Sequence, residues 1–454
     1  DIQAPLGSRV SPLSLRLSVI NGLAFAAESV EVGLLAVLGP CAAEDWGITA
    51  EELAFITSMV LAGQVIGACF FGPMADVVGR RTSFIVAATV IVIAGGLSAA
   101  APTWYALGLL RFFVGFGVGG NSVPVDLMAE FTPVHLRGKL LIGIELFWSF
   151  GSVFIVALSW AVLGPLGWRA LTGLAALPVA LALLSVAWLP ESPRWLLEQG
   201  ERRQAEAVIR DTARINGVEL KAFELVLWAE TEAGRRAMVQ PTVARASKPL
   251  GESLLSSREQ LDVKALNTPA AAGGAGAAGQ GPTSPLAGVF SKDMWRITLL
   301  MWAAWLGDGV GYFSLVMFTA RLFSAESDDD DEGRGFATCH FSFAPILATA
   351  VAEIFGVLLP LCTIDRFGRR PTQGICFLLA ALLSLLLAPA SSVAYLAVMA
   401  TAARLFNVAA VATLWVTTTE IYPTSMRGTG HSYCAAFAKA AGAAAPFVVQ
   451  NHAA

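Results

Sequence analysis

Glu130-Phe-Thr-Pro133-Val-His-Leu-Arg137-Gly138 is a stretch that returns at residues 420–428 as Glu420-Ile-Tyr-Pro423-Thr-Ser-Met-Arg427-Gly428. Both copies fit the pattern E-x-x-P-x-x-x-R-G. A second pair, Asp76-Val-Val-Gly79-Arg80-Arg81 and Asp365-Arg-Phe-Gly368-Arg369-Arg370, keeps almost the same separation along the chain. Each copy joins two long apolar segments, which predicts two matched halves, as in duplicated polytopic membrane proteins.

The composition also indicates a membrane protein. Hydrophobic residues make up 56% of the chain and charged residues only 14%, whereas about a quarter of an average soluble chain is charged. The mean hydropathy is +0.65. The sequence contains no P-loop, no Ser/His/Asp arrangement and no metal-ligand spacing. We therefore expect neither an enzyme nor a bound metal or cofactor.

Eleven stretches are long and apolar enough to cross the hydrocarbon core, which takes about 20 residues of helix. They lie near residues 16–38, 54–74, 82–100, 104–129, 139–163, 167–189, 295–320, 343–364, 371–388, 393–420 and 428–450. By the repeat, a twelfth span should follow residue 454, and we expect the sequence to be truncated there. The prediction is an all-α polytopic membrane protein of two pseudo-symmetric six-helix halves, with the twelfth helix missing.

A long polar segment divides the predicted halves. Residues 1–15 form an N-terminal segment, 16–189 the first bundle and 295–454 the second bundle with five spans. Between them, residues 190–294 form a loop whose first part, Pro190 to Asn216, has helical periodicity and mixed charge, which predicts two short amphipathic helices. From about residue 240 to 285 the loop is rich in Ala, Gly, Ser and Pro, a composition typical of disordered linkers.

Basic residues predict the orientation, because Lys and Arg concentrate in cytoplasmic junctions. The N-terminal segment and alternate junctions carry Arg9, Arg16, Arg80, Arg81, Arg137, Lys139, Arg194, Arg366, Arg369, Arg370 and Arg427. The opposite junctions are acidic, with a run from Asp328 to Glu332. We therefore place the N-terminus and the loop 190–294 in the cytoplasm; plasma membrane and endomembrane vesicle fit this topology equally.

Cysteine and histidine positions suggest no special chemistry. Cys41 and Cys339 fall in junctions predicted on the same, non-cytoplasmic side and could pair, although we expect no disulfide there. The other four cysteines lie in or beside spans and are expected to be packing residues. The histidines, at 135, 340, 431 and 452, lie near span ends and are expected to be ordinary interfacial residues.

With these junctions located, the chain resembles the major facilitator superfamily. Gly72-Pro-Met-Ala-Asp76-Val-Val-Gly79-Arg80-Arg81 is similar to the signature after the second helix, and Arg111-Phe-Phe-Val-Gly115-Phe-Gly117-Val-Gly119-Gly120 to that of the fourth. Pro190-Glu-Ser-Pro-Arg194-Trp-Leu196 is similar to the motif after helix six. The second-half signature departs at Leu361, where the family has Gly, so looser packing is expected there.

The resemblance is nearest to the synaptic vesicle glycoprotein 2-related branch, beside organic ion and sugar porters. Glu145-Leu-Phe-Trp148 in helix five, Glu28-x-x-Glu31 in helix one and Ala402-Ala-Arg404-Leu-Phe406 in helix ten carry it. Sugar porters usually have Gln where Glu145 stands. They also have Gln-Gln near the start of helix seven, where this chain reads Trp305-Leu-Gly-Asp308. Both departures count against a hexose.

Charged residues inside the predicted spans are candidates for a substrate and proton cavity, since each unpaired charge in a bilayer costs several kcal/mol. They are Glu28, Glu31, Arg111, Glu145, Asp308, Glu353, Arg404 and Lys439. Two interpretations stay open: a water-filled cavity whose carboxylates bind substrate and protons, or ion pairs that fix helix packing. The cavity could also be lined by aromatic residues, namely Trp148, Trp302, Trp305, Tyr312 and Phe313. Trp302 and Trp305 could equally face lipid. Asp126 is expected to be structural.

The charges of the repeated junctions are expected to act as a conformational latch. They are Asp76, Arg80, Arg81, Glu130, Arg137, Asp365, Arg369, Arg370, Glu420 and Arg427. Asp76 can pair with Arg80 or Arg81 or with the start of a neighbouring helix. Within each junction, Glu130 can reach Arg137 and Glu420 can reach Arg427. Pairs that form only when the cytoplasmic side is closed would bias a two-state equilibrium.

These observations favour a secondary active transporter of a small organic ion, working by alternating access and coupled to protons. We expect the lipid bilayer, the organic substrate and H+ as partners, no nucleic acid, and a monomer. The alternative is a non-transporting membrane receptor or vesicle trafficking protein on the same fold. The absence of an N-x-S/T sequon in loop 321–342 favours the transporter.

Overall fold

The structure is a computed structural model, and it describes residues 11–132, 134–218, 285–322, 341–387, 392–423 and 426–451. Within these ranges every regular element is a helix. The predicted linker at 240–284, the acidic run at 328–332 and Cys339 lie outside the described residues.

The first half is a bundle of long apolar helices. Its elements are α1 (Pro12–Trp46), α2 (Ala50–Val78), α3 (Arg80–Ser98), α4 (Trp104–Val118), a 3₁₀ turn (Gly119–Asn121), α5 (Ser122–Phe131), α6 (Val134–Ala175) and α7 (Leu177–Ser185). Helix α6 bends at Gly167, whose φ of 74° lies in the left-handed region, so that one helical stretch supplies two predicted spans. Helix α4 and α5 together form the predicted fourth span, interrupted by the 3₁₀ turn.

Two short helices follow the first bundle, as the periodicity predicts, and the second half comes after them. The short helices are α8 (Pro193–Glu198) and α9 (Arg202–Ile215). The second half consists of α10 (Pro285–Val289), α11 (Trp295–Leu322), α12 (Phe343–Phe367), α13 (Arg369–Leu385), α14 (Val393–Ile421) and α15 (Arg427–Asn451). In the described residues, each of the eleven predicted spans is mostly helical.

In the described part of the chain, eight helical stretches are long and apolar enough to cross a membrane. One of them, Leu136–Ser185, runs for 50 residues and covers two predicted spans. Helices α13 and α15 fall outside those eight. The all-α polytopic fold is confirmed, while the exact number of spans stays a prediction.

The helices approach closely where glycine leaves room. A Cβ on Gly115 of α4 would lie 2.0 Å from the carbonyl oxygen of Val60 in α2, and one on Gly67 would lie 1.9 Å from that of Phe116. Any larger side chain would separate α2 from α4, since a backbone carbonyl cannot move aside as a side chain can. The glycine-rich signature in α4 is thus a packing surface for α2.

The two halves touch through α2 against α15 and α6 against α12. Near the junctions, a Cβ on Gly72 would lie 2.7 Å from the carbonyl oxygen of Gly428. We call the end that carries residues 76–81, 130–139, 365–370 and 420–427 the basic end. At this end the two halves are in contact in this conformation.

One expectation about the opposite end is wrong. Cys41, near the end of α1, is disulfide-bonded, whereas Cys69, Cys362, Cys376 and Cys434 are free thiols. The sequence prediction counted the pairing as improbable because apolar periodicity says nothing about how close two junctions come. Whether two cysteines can form a disulfide depends on the distance between them in the fold, which their sequence positions do not give.

Candidate functional site

The first buried ion pair joins α1 to α4. Arg111 Nη1 lies 2.8 Å from Glu31 Oε2, and Arg111 Nε donates to Ser98 Oγ at 3.2 Å. Arg111 is 0% exposed and Glu31 2%. Both charges belong to the first half, so this pair connects two of its helices and leaves Arg111 with its charge compensated.

The second ion pair joins α12 to α14 in the other half. Arg404 Nε donates to Glu353 Oε1 at 2.5 Å, and Tyr312 OH donates to the same oxygen at 3.1 Å. Trp148 of α6 donates its indole N–H to Tyr312 OH at 2.8 Å. The chain of hydrogen bonds therefore runs from Arg404 through Glu353 and Tyr312 to Trp148 in the first half.

A third ion pair links the halves directly. Lys439 Nζ of α15 donates to Glu28 Oε1 of α1, and Asn121 Nδ2 donates to the other carboxylate oxygen at 2.5 Å. A cavity of about 20 Å³ borders Glu28 and Asn121, which is room for about one water molecule. Glu28 is thus held by a cation from one half and an amide from the other.

We call the eight charged residues inside the predicted spans the central cluster: Glu28, Glu31, Arg111, Glu145, Asp308, Glu353, Arg404 and Lys439. Within it, Glu145 and Asp308 have no ion-pair partner among the described residues. Glu145 is 2% exposed, and its charged neighbours are Glu28, Asp308, Glu353 and Lys439. Asp308 is 6% exposed, and its Oδ1 accepts no hydrogen bond from any described group. Lys439 is the cation whose charge acts on it. These two carboxylates are therefore the members of the cluster whose charge no described ion pair compensates.

Aromatic rings lie beside these charges. Lys439 Nζ is 6.0 Å from the ring centroid of Trp148 and 5.7 Å from that of Phe313. The Trp148 and Tyr312 rings meet edge to face at 5.6 Å. Such faces attract cations as well as apolar groups. Trp305, by contrast, is buried and donates to Thr418 at 3.0 Å, so it does not face lipid.

The basic end is held by Asp76, which contacts both halves. Its Oδ2 accepts from the backbone N–H and the hydroxyl of Thr429, each at 2.8 Å, at the beginning of α15. Its Oδ1 lies 3.2 Å from Arg80 Nη2. A carboxylate at a helix N-terminus is stabilised by the unpaired N–H groups and the helix dipole. Asp76 therefore makes both of the expected contacts, the pair with Arg80 and the contact with the start of a neighbouring helix, and the latter joins the two halves.

Glu130 forms different pairs from those expected within its junction. Its Oε1 lies 3.5 Å from Arg80 Nη2 and 3.6 Å from Arg427 Nη1, whereas Arg137 Nη2 donates to the carbonyl of Thr132. The expected Glu130–Arg137 contact is replaced because Arg427 of the other half reaches the same carboxylate. Glu130 is fully buried and bridges the halves.

The second-half junction shows the same rearrangement. Glu420 accepts from Arg369 Nε and Nη2, both at 3.2 Å, and not from Arg427. Asp365 lies 2.9 Å from Lys139 Nζ of the first half, with both side chains about half exposed. Arg370 is exposed. An exposed pair such as Lys139–Asp365 contributes little by itself.

The motif after α7 positions the start of α3. Glu191 Oε1 accepts from the backbone N–H of Arg80 at 3.0 Å and of Arg81 at 3.3 Å. Burial raises the pKa of Glu191, although these N–H groups favour its charged form. Trp195 donates its indole N–H to the carbonyl of Asp76 at 2.9 Å. The first short helix of the loop thus contacts the junction of residues 76–81.

One buried contact was missed at the level of sequence. His431 Nδ1 lies 2.9 Å from Asp126 Oδ1 across the halves, and the two side chains are 0% and 1% exposed. The expectation that His431 is an interfacial residue is therefore wrong. The signal was available: His431 follows Arg427 by one helical turn, which places both on one face of α15.

Similarity to known proteins identifies the family of the chain. The sequence profile described as "Sugar (and other) transporter" matches residues 19–249 and 252–452. The chain belongs to this transporter family. The Synaptic vesicle 2-related protein of Xenopus laevis is 30% identical over 446 residues, covering 96% of this chain and 72% of that protein. Organic cation/carnitine transporter 7 of Arabidopsis thaliana is 29% identical, covering 94% and 83%.

The fold of the family is also seen in solved structures. The proton:xylose symporter XylE of the major facilitator superfamily aligns with a TM-score of 0.65 at 20% identity, covering 97% of this chain and 88% of that chain. This likeness supports the predicted fold, and the family itself is shown by the sequence profile and the relatives. This family member is a multi-pass membrane transporter and not an enzyme.

Proposed function

We propose that this protein is a proton-coupled transporter of a small organic cation, with the basic end facing the cytoplasm. The observation that carries the proposal is the central cluster, in which Glu145 and Asp308 are buried between the halves without an ion-pair partner among the described residues. A buried carboxylate without a partner is costly, and a cationic ligand or a proton would remove that cost.

The substrate class follows from the chemistry around these carboxylates. Trp148 and Phe313 lie near Lys439, and Tyr312 donates to Glu353 in the same cluster. Aromatic rings bind organic ammonium groups by cation–π attraction. The name of the Arabidopsis relative, an organic cation/carnitine transporter, is in line with this choice. Lys439 is already held by Glu28, so the cluster offers more negative than positive binding groups.

Proton coupling is assigned to Glu31 and Arg111. A proton on Glu31 removes its charge and weakens the 2.8 Å contact with Arg111, so protonation and the relative position of α1 and α4 are linked. Since α1 also carries Glu28, a shift of this helix reaches the pair with Lys439 in the other half. Protonation of one helix thereby acts on a contact between the halves.

Alternating access then uses the basic end as its cytoplasmic gate. Asp76 and Glu130 hold the first half against Thr429 and Arg427 of α15, and these contacts exist only while that end is closed. Rocking of the two halves about the central cluster breaks them and opens the site to the cytoplasm. The orientation itself rests on the basic junctions.

The test is uptake into proteoliposomes that contain the protein. Pooled organic cations, organic anions, sugars and amino acids are added in turn, with internal pH and accumulated solute recorded. We expect a pH change with organic cations. The Glu31→Gln variant should exchange substrate but fail to accumulate it against its gradient, whereas Glu201→Gln, an exposed carboxylate in the loop, should behave as the parent.

Three outcomes would contradict parts of the proposal. Accumulation by Glu31→Gln at the parent level would remove Glu31 from coupling. Uptake of anions in place of cations would overturn the substrate class and leave Lys439 as the binding group. If folded and monodisperse protein gave neither a pH change nor solute uptake with any pool, the result would favour the non-transporting receptor.

A further inference from the structure

A large cavity lies at the end opposite the basic end, and none of the steps above uses it. Its volume is about 690 Å³, which is within the range of small-molecule sites, about 300–1,000 Å³. Its described lining includes Glu44 and Asp45 at the end of α1, Trp160 and Trp168 of α6, and Phe341 and Phe343 at the start of α12. The cavity is therefore large enough for an organic molecule and lies where the two halves meet.

The cavity is separate from the central cluster. On α6, Trp160 follows Glu145 by 15 positions, which corresponds to about 22 Å at 1.5 Å per residue. On α12, Phe343 precedes Glu353 by 10 positions, or about 15 Å. Among the described lining residues there is no member of the cluster. A ligand held here would therefore occupy a second site.

The chain itself places an organic cation against the wall of this cavity. Arg169 Nη1 lies 2.7 Å from Asp45 Oδ2, and the guanidinium carbon is 4.3 Å from the ring centroid of Trp168 and 5.5 Å from that of Trp46. Trp168 also donates its indole N–H to Asp45 Oδ2 at 3.3 Å. One carboxylate and two indole rings thus already hold a cation, by ion pairing and cation–π attraction.

Further aromatic rings continue this wall into the other half. The Trp160 and Phe343 rings are stacked, with centroids 6.5 Å apart and planes 18° from parallel. Phe341 meets Phe343 at a centroid distance of 5.7 Å. Trp160 is 56% exposed, so its ring is accessible from outside the protein. The cavity therefore offers aromatic faces from both halves to a flat or quaternary ammonium group.

The charges of the wall favour a cation as well. Glu44 and Asp45 are exposed carboxylates, and Arg169 is the cation that pairs with Asp45. These three groups carry one negative charge in excess. The Asp45 and Arg169 side chains are each 44% exposed, and an ion pair of this kind contributes little stability. Arg169 can therefore leave Asp45 at small cost when another cation arrives.

We propose that this cavity is an outer binding site for an organic cation, which takes the place of Arg169 against Asp45 and the indole rings. Under the proposed function this end faces away from the cytoplasm, and a cation that enters from that side meets this site before the central cluster. The inference goes beyond the proposed function, since it requires binding but neither transport nor proton coupling.

The test compares two photoreactive probes of the same shape. One is para-azidophenyl trimethylammonium, and the other is its neutral isostere para-azido-tert-butylbenzene. Each is irradiated with the protein in lipid nanodiscs, and the cross-linked peptides are identified by mass spectrometry with and without excess phenyltrimethylammonium. We expect the charged probe to label residues 41–46, 160–169 and 341–343 saturably, with an apparent affinity at least about tenfold tighter than that of the neutral probe.

Variants with effects of opposite sign separate ligand binding from a structural role. Arg169→Gln removes the internal competitor and should tighten binding of the charged probe about two- to fivefold, whereas Asp45→Asn should weaken it by a similar factor. Trp160→Leu should weaken it about threefold. The matched control is Trp188→Leu, which replaces a tryptophan that is 60% exposed just after α7, away from the cavity, and should bind as the parent does.

Equal labelling by the two probes would overturn the inference and identify the cavity as a place for lipid tails or other apolar groups. Weaker binding in both Arg169→Gln and Asp45→Asn would also overturn it, because the pair would then support the wall and not compete with a ligand. The comparison of the two probes on the parent protein decides the matter should a variant fail to fold.

The position of the cross-links distinguishes this inference from the proposed function. Saturable labelling confined to residues 145–148 and 308–313 would overturn the outer site and support the proposed function. Labelling of the outer cavity in a protein that transports no organic cation would support the outer site and contradict the proposed function.

Discussion

Removal of the Asp76 carboxylate should open the basic end. In the closed conformation its Oδ2 accepts two hydrogen bonds from Thr429, both of 2.8 Å. Hydrogen bonds to a charged group contribute about 1.5–3 kcal/mol each, so Asp76→Ala should destabilise the closed state by at least about 3 kcal/mol relative to an open state in which Asp76 is hydrated. At about 1.4 kcal/mol per factor of ten, opening becomes roughly 100-fold more frequent.

The rate of thiol labelling reports this opening. Ser122 is 2% exposed and packs against Ser432 of the other half, so a Ser122→Cys thiol reacts with a maleimide only after the halves part. The background replaces Cys69, Cys362, Cys376 and Cys434 with serine. The labelling rate should rise about 100-fold in Asp76→Ala, in proportion to the opening equilibrium.

Graded variants separate the hydrogen bonds from the charge. Asp76→Asn keeps one acceptor and loses the charge at the N-terminus of α15, which is worth about 0.3–1 kcal/mol, so about a fivefold increase is expected. Thr429→Val removes the hydroxyl but keeps the backbone N–H, and should fall between the two. Labelling of Asp76→Ala within threefold of the parent would refute the reasoning, because the contact would then not hold the halves together.

Two further predictions concern stability. Arg404→Leu leaves the buried Glu353 without its cation and should lower the stability by about 3–5 kcal/mol, measured as a lower Tm in thermal unfolding. The double variant Arg404→Leu/Glu353→Leu should recover most of this stability. A double variant whose Tm equals that of the single variant would argue against an unpaired charge as the cause. Gly115→Ala should abolish the monodisperse peak in size-exclusion chromatography, because its Cβ would lie 2.0 Å from the Val60 carbonyl oxygen. The control Gly143→Ala, where no atom lies within 4 Å of the added Cβ, should elute as the parent does. Equal elution profiles of the two variants would show that α2 and α4 can separate at no cost.

The helices were predictable because membrane spans are determined locally. Every backbone group of a span must be bonded within its own helix, so length and hydropathy suffice, and the eleven stretches are mostly helical in the described residues. The capping box Thr49–Glu52 at the start of α2 is likewise a local signal. The bend at Gly167 could not be predicted in this way, since a positive φ inside an apolar run is decided by the packing of the two helical segments.

The contacts between the halves could not be read from the sequence. Glu130 was expected to reach Arg137 in its own junction, but in the fold it lies against Arg80 of its own half and Arg427 of the opposite half. Asp126 and His431 are 305 positions apart, and only the docking of α5 on α15 brings them together. The eight intramembrane charges were identified because burial of charge is rare, while their pairing depends on which helix faces which.

The three ion pairs of the central cluster determine how the membrane potential acts on the empty protein. Moving one elementary charge through 100 mV requires about 2.3 kcal/mol. Arg111, Arg404 and Lys439 each lie against a carboxylate, so these six groups add no net charge to the part that reorients. Of the eight, Glu145 and Asp308 remain, and their ionisation, together with the proton proposed for Glu31, sets how strongly voltage opposes or drives the return step of the transport cycle.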